Sequence, residues 1–306
     1  MPIGAMPATM DATRVRMAKG AKGMALIDIG GIRLNVIEWG GGEEALVFIH
    51  GNLACADWFE LVAPLLPERL HIVAIDWRGC GDSDKPPPEP DYSNYTIRRH
   101  ADDMLAVLRR LGIDRCHLAT HSTGGIISTC MLLAEPERFQ KVLALDPVGP
   151  MGLRFSPETI ALLEIMKSSR DKTRNGLAFT ASTLFRFESL NGVRQPVFAE
   201  HVTDQQKDLF ERLVGKTFGV SDGIWFGIPM SLNHELEAKD LRQRQGAIRH
   251  EHLVLWGALD PIIPRRDMEE MATRMPNCRL IVVPEVGHSM LIERPELYAK
   301  YAAQFF

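Results

Sequence analysis

The chain has 306 residues, of which 45% are hydrophobic and 24% charged, a composition typical of a globular protein and not of a disordered one. Its formal net charge of −4 provides no basic field for a phosphate backbone, so nucleic acid is not an expected partner. No run of eighteen apolar residues occurs, which argues against a membrane-spanning helix.

The cysteines and the amino terminus point to the cytoplasm. The five cysteines are widely spaced and form neither a CxxC pair nor a metal-ligand pattern, so reduced thiols are expected. Residues 1–24 carry four basic side chains but no continuous apolar segment of the kind that a secretory signal requires. We therefore predict an N-terminal extension over residues 1–24 and a cytoplasmic protein.

Short apolar runs alternate with helical patterns in the first half of the chain. Strands are predicted at 26–29 and 32–39, and Gly30-Gly31 between them is a hairpin signal. A strand at 44–50, a helix near 58–66 and a strand at 71–76 follow. The pattern then predicts, in chain order, a helix over 96–112, a buried strand at 116–120, a helix over 123–135 and a strand at 142–146.

The alternation stops over residues 148–249, which are helix-rich and aromatic. It resumes with a strand at 252–257, a helix after Pro264, a strand at 280–285 and a helix from Pro295. Such alternation predicts an α/β fold with a mostly parallel, twisted sheet and helices on both faces. We assign residues 25–147 and 250–306 to this core and residues 148–249 to a helical cap inserted into it.

The segment THSTGG, residues 120–125, stands between a predicted buried strand and a predicted helix. In the nucleophile-elbow pattern G-x-S-x-G, a serine on such a turn exposes its hydroxyl above the sheet. Ser122 takes the serine position and Gly124 the later glycine, whereas Thr120 replaces the earlier one. A plain helix N-cap is the alternative for this hexapeptide, because serine and threonine commonly cap helices.

A second signal is His50-Gly51-Asn52, at the end of the predicted strand 44–50. Glycine lets the backbone approach a ligand closely. The N–H of Asn52 can then join the N–H of Thr123, at the start of a predicted helix, in an oxyanion hole. His50 and His121 are expected to hold loop backbone in place by hydrogen bonds.

Two further motifs follow predicted strands, WGALDPIIP at 256–264 and VGHSM at 286–290. They give the chain order Ser122, Asp260, His288, which is expected when a nucleophile, its orienting acid and its base meet at the carboxyl edge of one sheet. Asp146 ends the strand before the cap and is the alternative acid, although aspartate before proline commonly forms a turn. The other histidines show no metal spacing, so we expect neither a metal nor a cofactor.

These motifs resemble those of the α/β-hydrolase fold, in its cap-bearing group of esterases, lactonases, perhydrolases and C–C hydrolases. The resemblance covers residues 25–306 and includes DWRGCGDSDKP at 76–86, which is similar to the family's D-x-R-G-x-G-x-S loop. Asn52 beside a serine nucleophile resembles the HGN of some lactone-cleaving members. Haloalkane dehalogenases also have HGN, but their nucleophile is an aspartate where this chain has Ser122.

The resemblance implies two-step acyl transfer, in which Ser122 attacks a carbonyl, His288 removes the serine proton and Asp260 orients His288. The expected substrate is a carboxylic ester or lactone of a moderately apolar small molecule. Amide cleavage, C–C hydrolysis, perhydrolysis and non-catalytic ligand binding are the alternatives, and the oligomeric state stays open, a homodimer included. Four cap residues are candidates either to line a substrate pocket or to pack the cap onto the core: Phe218, Trp225, Phe226 and Met230.

Overall fold

The computed structural model describes residues 22–192 and 194–306. Most of the predicted extension, residues 1–21, lies outside the described residues. Its last three residues belong to the first strand, so the sheet begins at Lys22 and not at residue 26. The predicted core and cap are described in full except for residue 193.

One sheet of eight strands organises the described chain. The strands are β1 (Lys22–Asp28), β2 (Arg33–Trp39), β3 (Glu44–Ile49), β4 (Leu70–Ile75), β5 (Cys116–His121), β6 (Phe139–Leu145), β7 (Glu251–Gly257) and β8 (Cys278–Val283). Their spatial order is β1-β2-β4-β3-β5-β6-β7-β8. Strand β2 pairs antiparallel with β1 and β4, and the other pairs are parallel. The predicted α/β class with a mostly parallel sheet is confirmed.

The strands were visible in the sequence because their surroundings demand apolar runs. Strands β4 and β5 are buried along their whole length, as expected where helices cover both faces of a parallel sheet. At the hairpin between β1 and β2, Gly30 and Gly31 have φ angles of +104° and +91°. Both of their N–H groups donate to Asp28 Oδ1, at 2.7 and 3.2 Å, and glycine adopts these angles at little cost.

Ten helices of the α type lie in the described residues. They are α1 (Ile97–Arg110), α2 (Gly124–Ala134), α3 (Pro157–Lys167), α4 (Arg170–Thr180), α5 (Asp204–Phe218), α6 (Ile228–Ala238), α7 (Asp240–Arg244), α8 (Arg265–Arg274), α9 (Met290–Glu293) and α10 (Pro295–Phe305). The helix predicted near 58–66 is wrong, because this stretch forms two short 3-10 turns, Ala56–Phe59 and Ala63–Leu65. Pro64 has no N–H and would interrupt a continuous α-helix there.

Apolar side chains pack against both faces of the sheet. Helices α1, α2 and α8 contribute to one cluster, for example through Met104, Ile126 and Met268. Helices α5 and α10 contribute to the other, through Phe210 and Tyr298. The predicted placement of helices on both faces is therefore confirmed. No helix in residues 22–192 and 194–306 is both long and apolar enough to cross a bilayer.

The segment between β6 and β7 contains helices α3 to α7. Buried hydrogen bonds tie it to the core: Thr217 Oγ1 donates to the carbonyl of Leu53 at 2.6 Å, and Gln206 Nε2 donates to that of Ile292 at 2.8 Å. These bonds hold α5 close to the loop after β3 and to α9. The division into a core of residues 25–147 and 250–306 and a cap of residues 148–249 stays a prediction.

Candidate active site

Ser122 lies on a tight turn between β5 and α2. Its φ angle is +52°, an uncommon value for a residue with a side chain. The turn is held by backbone bonds, in which the Ser122 N–H donates to the Leu145 carbonyl at 3.0 Å and the Gly125 N–H donates to the Ser122 carbonyl at 2.9 Å. Non-glycine residues in this conformation concentrate at functional sites, where the surrounding structure maintains them.

Two glycines allow this turn to form. A Cβ at Gly124 would lie 2.2 Å from the carbonyl oxygen of Ile49, and one at Gly51 would lie 2.9 Å from the Cβ of Ser122. Both positions therefore exclude a side chain. Thr120, which replaces the earlier glycine of the elbow pattern, occupies a regular, fully buried position in β5. The turn itself starts after it, so a β-branched residue is accommodated at this position.

Asp260 and His288 come together at the same edge of the sheet. Asp260 lies three residues after β7, His288 lies five residues after β8, and His288 Nδ1 is 2.8 Å from Asp260 Oδ2. The other carboxylate oxygen of Asp260 accepts the N–H groups of Ile262 and Ile263 at 2.7 and 3.2 Å. Because a carboxylate accepts, Nδ1 carries a hydrogen, and Nε2 is the acceptor in the neutral form of the ring.

The environment of Asp260 favours its charged form. Burial raises the pKa of this carboxyl, but the His288 ring and the amide donors of Ile262 and Ile263 outweigh burial, and the pKa falls below its ordinary value. The Asp260 side chain is fully buried and that of His288 nearly so. An ionised, fixed carboxylate is what holds an imidazole in one tautomer.

A single cavity of about 460 Å³ is bordered by Asn52, Ser122, Thr123 and His288. The backbone N–H groups of Asn52 and Thr123 have no hydrogen-bond partner within residues 22–192 and 194–306. Thr123 immediately precedes α2, where the helix dipole favours negative charge. The structure thus brings the five residues predicted from the sequence, with Asp260 behind His288, to one place, and it leaves two amide donors there.

His50 and His121 hold the surrounding loops. His50 Nδ1 donates to the Gly51 carbonyl at 2.8 Å, while His50 Nε2 accepts the Trp77 N–H at 3.2 Å. His121 Nε2 donates to the carbonyl of His288 at 2.8 Å. Burial lowers the pKa of His50 to about 4 and that of His121 to about 3. Both rings are neutral near pH 7.

Asp146, the alternative acid, lies beside the chosen one. It is fully buried after β6, has a φ angle of +41°, and its Oδ1 accepts the Gly257 N–H at 2.7 Å. One ligand atom each of Asp146, Asp260 and His288 lies within 4.8 Å of the others, a spacing that a metal ion would also accept. The hydrogen bonds of Asp260 and His288 explain this cluster without an ion, and the expected absence of a metal stays a prediction.

The four aromatic and methionine candidates for substrate binding do not border this cavity. Trp225 is completely buried in the core, and Phe226 is half-buried beneath the Lys167 ammonium at 5.3 Å. Phe218 and Met230 are exposed elsewhere on the surface. This segment packs against Tyr95, in the short turn before α1, because a Cβ at Gly223 would lie 2.2 Å from the Tyr95 ring. The prediction that these four residues line the substrate pocket is therefore wrong for this cavity, and other residues form its lining.

Helices α3 and α4 supply the apolar lining instead. The lining residues on these two helices are Thr159, Leu162, Leu163, Ile165, Met166, Lys172, Asn175, Gly176, Leu177, Phe179 and Thr180. Leu153, Phe155, Pro261 and Ile262 extend the same lining. The sequence offered no separate signal for these residues, since their apolar side chains are equally typical of helices that pack onto a core.

Glu293 is a second feature that the motifs did not reveal. Its buried carboxylate accepts the Gly287 N–H at 3.0 Å and the Thr183 Oγ1 hydroxyl at 2.8 Å. Burial raises the pKa of this carboxyl. Glu293 thus joins the loop that carries His288 to the segment between β6 and β7. No spacing rule predicts this contact, because Thr183 and Glu293 are distant in the chain.

A family profile supports the same interpretation of the fold. The profile described as alpha/beta hydrolase fold matches residues 44–295. The chain belongs to the alpha/beta hydrolase fold family. The matched range begins at β3 and ends at the first residue of α10, so it includes every residue of the cavity described above. The family resemblance drawn from the motifs is confirmed.

Individual alpha/beta hydrolase relatives are distant. A fluoroacetate dehalogenase from Burkholderia sp is 36% identical over 121 residues, which is 40% of each chain. The uncharacterized hydrolase YugF of Bacillus subtilis is 27% identical over 86% of this chain and 90% of its own. Among solved structures, the esterase EaEST from Exiguobacterium antarcticum has a TM-score of 0.73 and 22% identity, covering 90% of this chain and 96% of its own. At that identity the structural likeness shows the fold alone.

Proposed function

We propose that this alpha/beta hydrolase cleaves a carboxylic ester or lactone through an acyl-enzyme formed on Ser122. The observation that carries the proposal is the cavity shared by Ser122 and His288, with two amide groups without partners beside them. The 2.8 Å contact between His288 Nδ1 and Asp260 supports His288 as the base, because Nε2 is then the nitrogen able to accept a proton.

In the proposed reaction, His288 Nε2 accepts the Ser122 proton while the serine oxygen bonds to the substrate carbonyl carbon. The resulting oxyanion is stabilised by the N–H groups of Asn52 and Thr123, each contributing roughly 3–4 kcal/mol to the transition state. The imidazolium, oriented by Asp260, returns its proton to the departing alcohol. Water then adds to the acyl carbon and gives a proton to His288. His288 returns this proton to the Ser122 oxygen as the acyl–oxygen bond breaks, which releases the carboxylic acid and restores the serine hydroxyl.

The lining of the cavity supports a moderately apolar substrate. Leu162, Leu163, Met166 and Phe179 border it together with Ser122, and its volume is in the range of small-molecule sites, roughly 300–1,000 Å³. An alkyl or aryl group placed there would leave water and contact apolar side chains.

We also propose that the enzyme acts in the cytoplasm. All five cysteines lie within the described residues and are free thiols. Four of them are buried, and the fifth, Cys278, is half-buried. Thiols in this form are typical of proteins in a reducing compartment.

Turnover of p-nitrophenyl esters of increasing chain length, together with a series of lactones, tests the proposal. We expect hydrolysis, a fluorophosphonate adduct on Ser122 by mass spectrometry, and a loss of at least about 10³-fold in kcat for Ser122→Ala with unchanged circular dichroism. Ser128→Ala is the matched control, since Ser128 is a buried serine of α2 whose hydroxyl bonds to the Gly125 carbonyl. It should retain activity.

Three results would contradict the proposed reaction. The first is equal activity of wild type and Ser122→Ala, and the second is a fluorophosphonate adduct on another residue. The third is fluoride release from fluoroacetate without any ester or lactone turnover. Preferential cleavage of a C–C bond or an amide, with Ser122 still required, would retain the nucleophile and replace the substrate class.

A further inference from the structure

Two carboxyl groups meet behind His288, and they differ in how they are hydrogen-bonded. Asp260 accepts three donors, His288 Nδ1 and the N–H groups of Ile262 and Ile263. Asp146 accepts one, the Gly257 N–H on Oδ1. Its Oδ2 is buried and has no donor among residues 22–192 and 194–306, and a carboxyl oxygen of Asp146 lies within 4.8 Å of one of Asp260.

The ionisable groups that face Asp146 are Asp260, Glu293 and His288. Two of these three are acids. Two carboxylates within 4.8 Å of each other and away from water repel each other strongly, so one of such a pair holds a proton. Asp260 has the larger number of donors and the histidine, and it therefore keeps the negative charge. The proton belongs on Asp146, at the oxygen that lacks a donor.

We propose that Asp146 is a positioning residue that carries a proton on Oδ2 and donates it in a hydrogen bond to Asp260. The chain of groups is then Asp146, Asp260 and His288, with the negative charge on the middle member. No bond is made or broken in this arrangement, and Asp146 does not touch the substrate. The electrostatics agree, because burial and the neighbouring Asp260 charge raise the pKa of Asp146 well above its ordinary value.

For catalysis, this hydrogen bond would make His288 a weaker base. A donor on Asp260 spreads its negative charge and so reduces the stabilisation that Asp260 gives to the protonated His288 ring. Removal of the donor should strengthen the interaction between Asp260 and the protonated ring, whereas an amide donor in the same place should preserve it. Asparagine suits the second purpose, since Asn tolerates a φ near the +41° of Asp146 and can both accept from Gly257 and donate to Asp260.

The protonation state can be measured without turnover, by ¹³C NMR of protein labelled at aspartate carboxyl carbons. We expect one aspartate carboxyl resonance at the protonated position at pH 7, and its disappearance in Asp146→Asn. If all aspartate carboxyls are ionised at pH 7, or if the protonated resonance persists in Asp146→Asn, the proposal is overturned. This measurement does not depend on the substrate, so a failure of the proposed ester hydrolysis leaves it unaffected.

The positioning role is tested by the pH dependence of kcat/KM, and it rests on the proposed function. We expect Asp146→Asn to superimpose on wild type within about 3-fold, and Asp146→Ala to move the acid limb upward by about one pH unit, a 10-fold loss on that limb. An ionised Asp146 predicts the opposite, because both variants would then remove a negative charge near His288 and move the limb downward together. Imidazole ¹⁵N titration of His288 in the same three proteins gives the same comparison without a substrate.

Discussion

Asp260 helps to fix the orientation of His288, because its carboxylate accepts the ring N–H while two adjacent amides hold the carboxylate in place. His288 Nδ1 donates to Oδ2, while Ile262 and Ile263 donate to Oδ1. An asparagine at this position would direct its NH₂ group against one of these donors. Either the ring or the turn after β7 would then lose its hydrogen bond.

We therefore predict that Asp260→Asn lowers kcat by about 10³ to 10⁴-fold, as expected when an imidazole is held in the wrong tautomer. Steady-state hydrolysis of the best ester found for the wild type is the measurement. Asp267→Asn is the matched control, because Asp267 lies on α8 and does not border the cavity. Near-normal activity of Asp260→Asn combined with a large loss in Asp146→Asn would assign the acid role to Asp146.

Two glycines in the segment between β6 and β7 differ in the space available for a side chain. Gly215 lies inside α5, and a Cβ there would have Arg170 Nη2 as its nearest neighbour outside the backbone of its own helix, at 3.8 Å, an ordinary contact. Gly223 lies eight residues later in a π-helical turn, where a Cβ would come within 2.2 Å of the Tyr95 ring. Because Tyr95 is fully buried, its ring cannot move into solvent to make room for this Cβ.

We predict opposite stability effects at these two positions. Gly215→Ala should raise the free energy of unfolding by about 0.5–1 kcal/mol, since alanine restricts the unfolded chain and favours a helix. Gly223→Ala should lower it by about 1–3 kcal/mol through overpacking against Tyr95. Urea unfolding of both variants measures the difference. Destabilisation by Gly215→Ala would mean that α5 does not continue through residue 215.

At the scale of the whole molecule, a buried carboxylate connects the edge of the sheet with the segment between β6 and β7. Asp57 accepts Lys22 Nζ from β1 at 3.1 Å and Lys216 Nζ from α5 at 2.5 Å. Burial raises the pKa of Asp57, but the hydrogen bonds and charges of Lys216 and Lys22 outweigh it, and the pKa falls below its ordinary value. Lys216 also reaches Asp82 at 2.8 Å.

This arrangement predicts how stability changes in acid. Since the folded pKa of Asp57 is lower than its unfolded value near 4, its contribution is present above about pH 4 and is lost as the pH falls through the folded pKa. Asp57→Asn should therefore be less stable than wild type at pH 7, and the difference should shrink towards pH 3. Urea unfolding at pH 3, 5 and 7 gives this comparison. A constant difference across the range would contradict it.

Much of this architecture could be predicted from patterns in the sequence. Strands β5 and β7, which precede Ser122 and Asp260, are almost entirely buried because both of their faces are covered. His288 follows β8, a partly exposed strand at the edge of the sheet. In a parallel sheet the carboxyl ends share one edge, so residues after those strands become neighbours. The helix at 58–66 failed for a local reason, since the apolar pattern gave no weight to Pro64.

The lining of the pocket and the proximity of Asp146 to Asp260 depend on tertiary packing. Helices α3 and α4 border the cavity, whereas Trp225 and Phe226 lie outside its lining, and an apolar pattern on a helix does not show which neighbour its face will contact. Asp146 and Asp260 were alternatives in the sequence, but β6 and β7 are adjacent in the sheet, so both carboxyls reach the same position. The residue types that carry out the chemistry can be recognised along the sequence, whereas contacts between distant elements depend on how the whole chain packs.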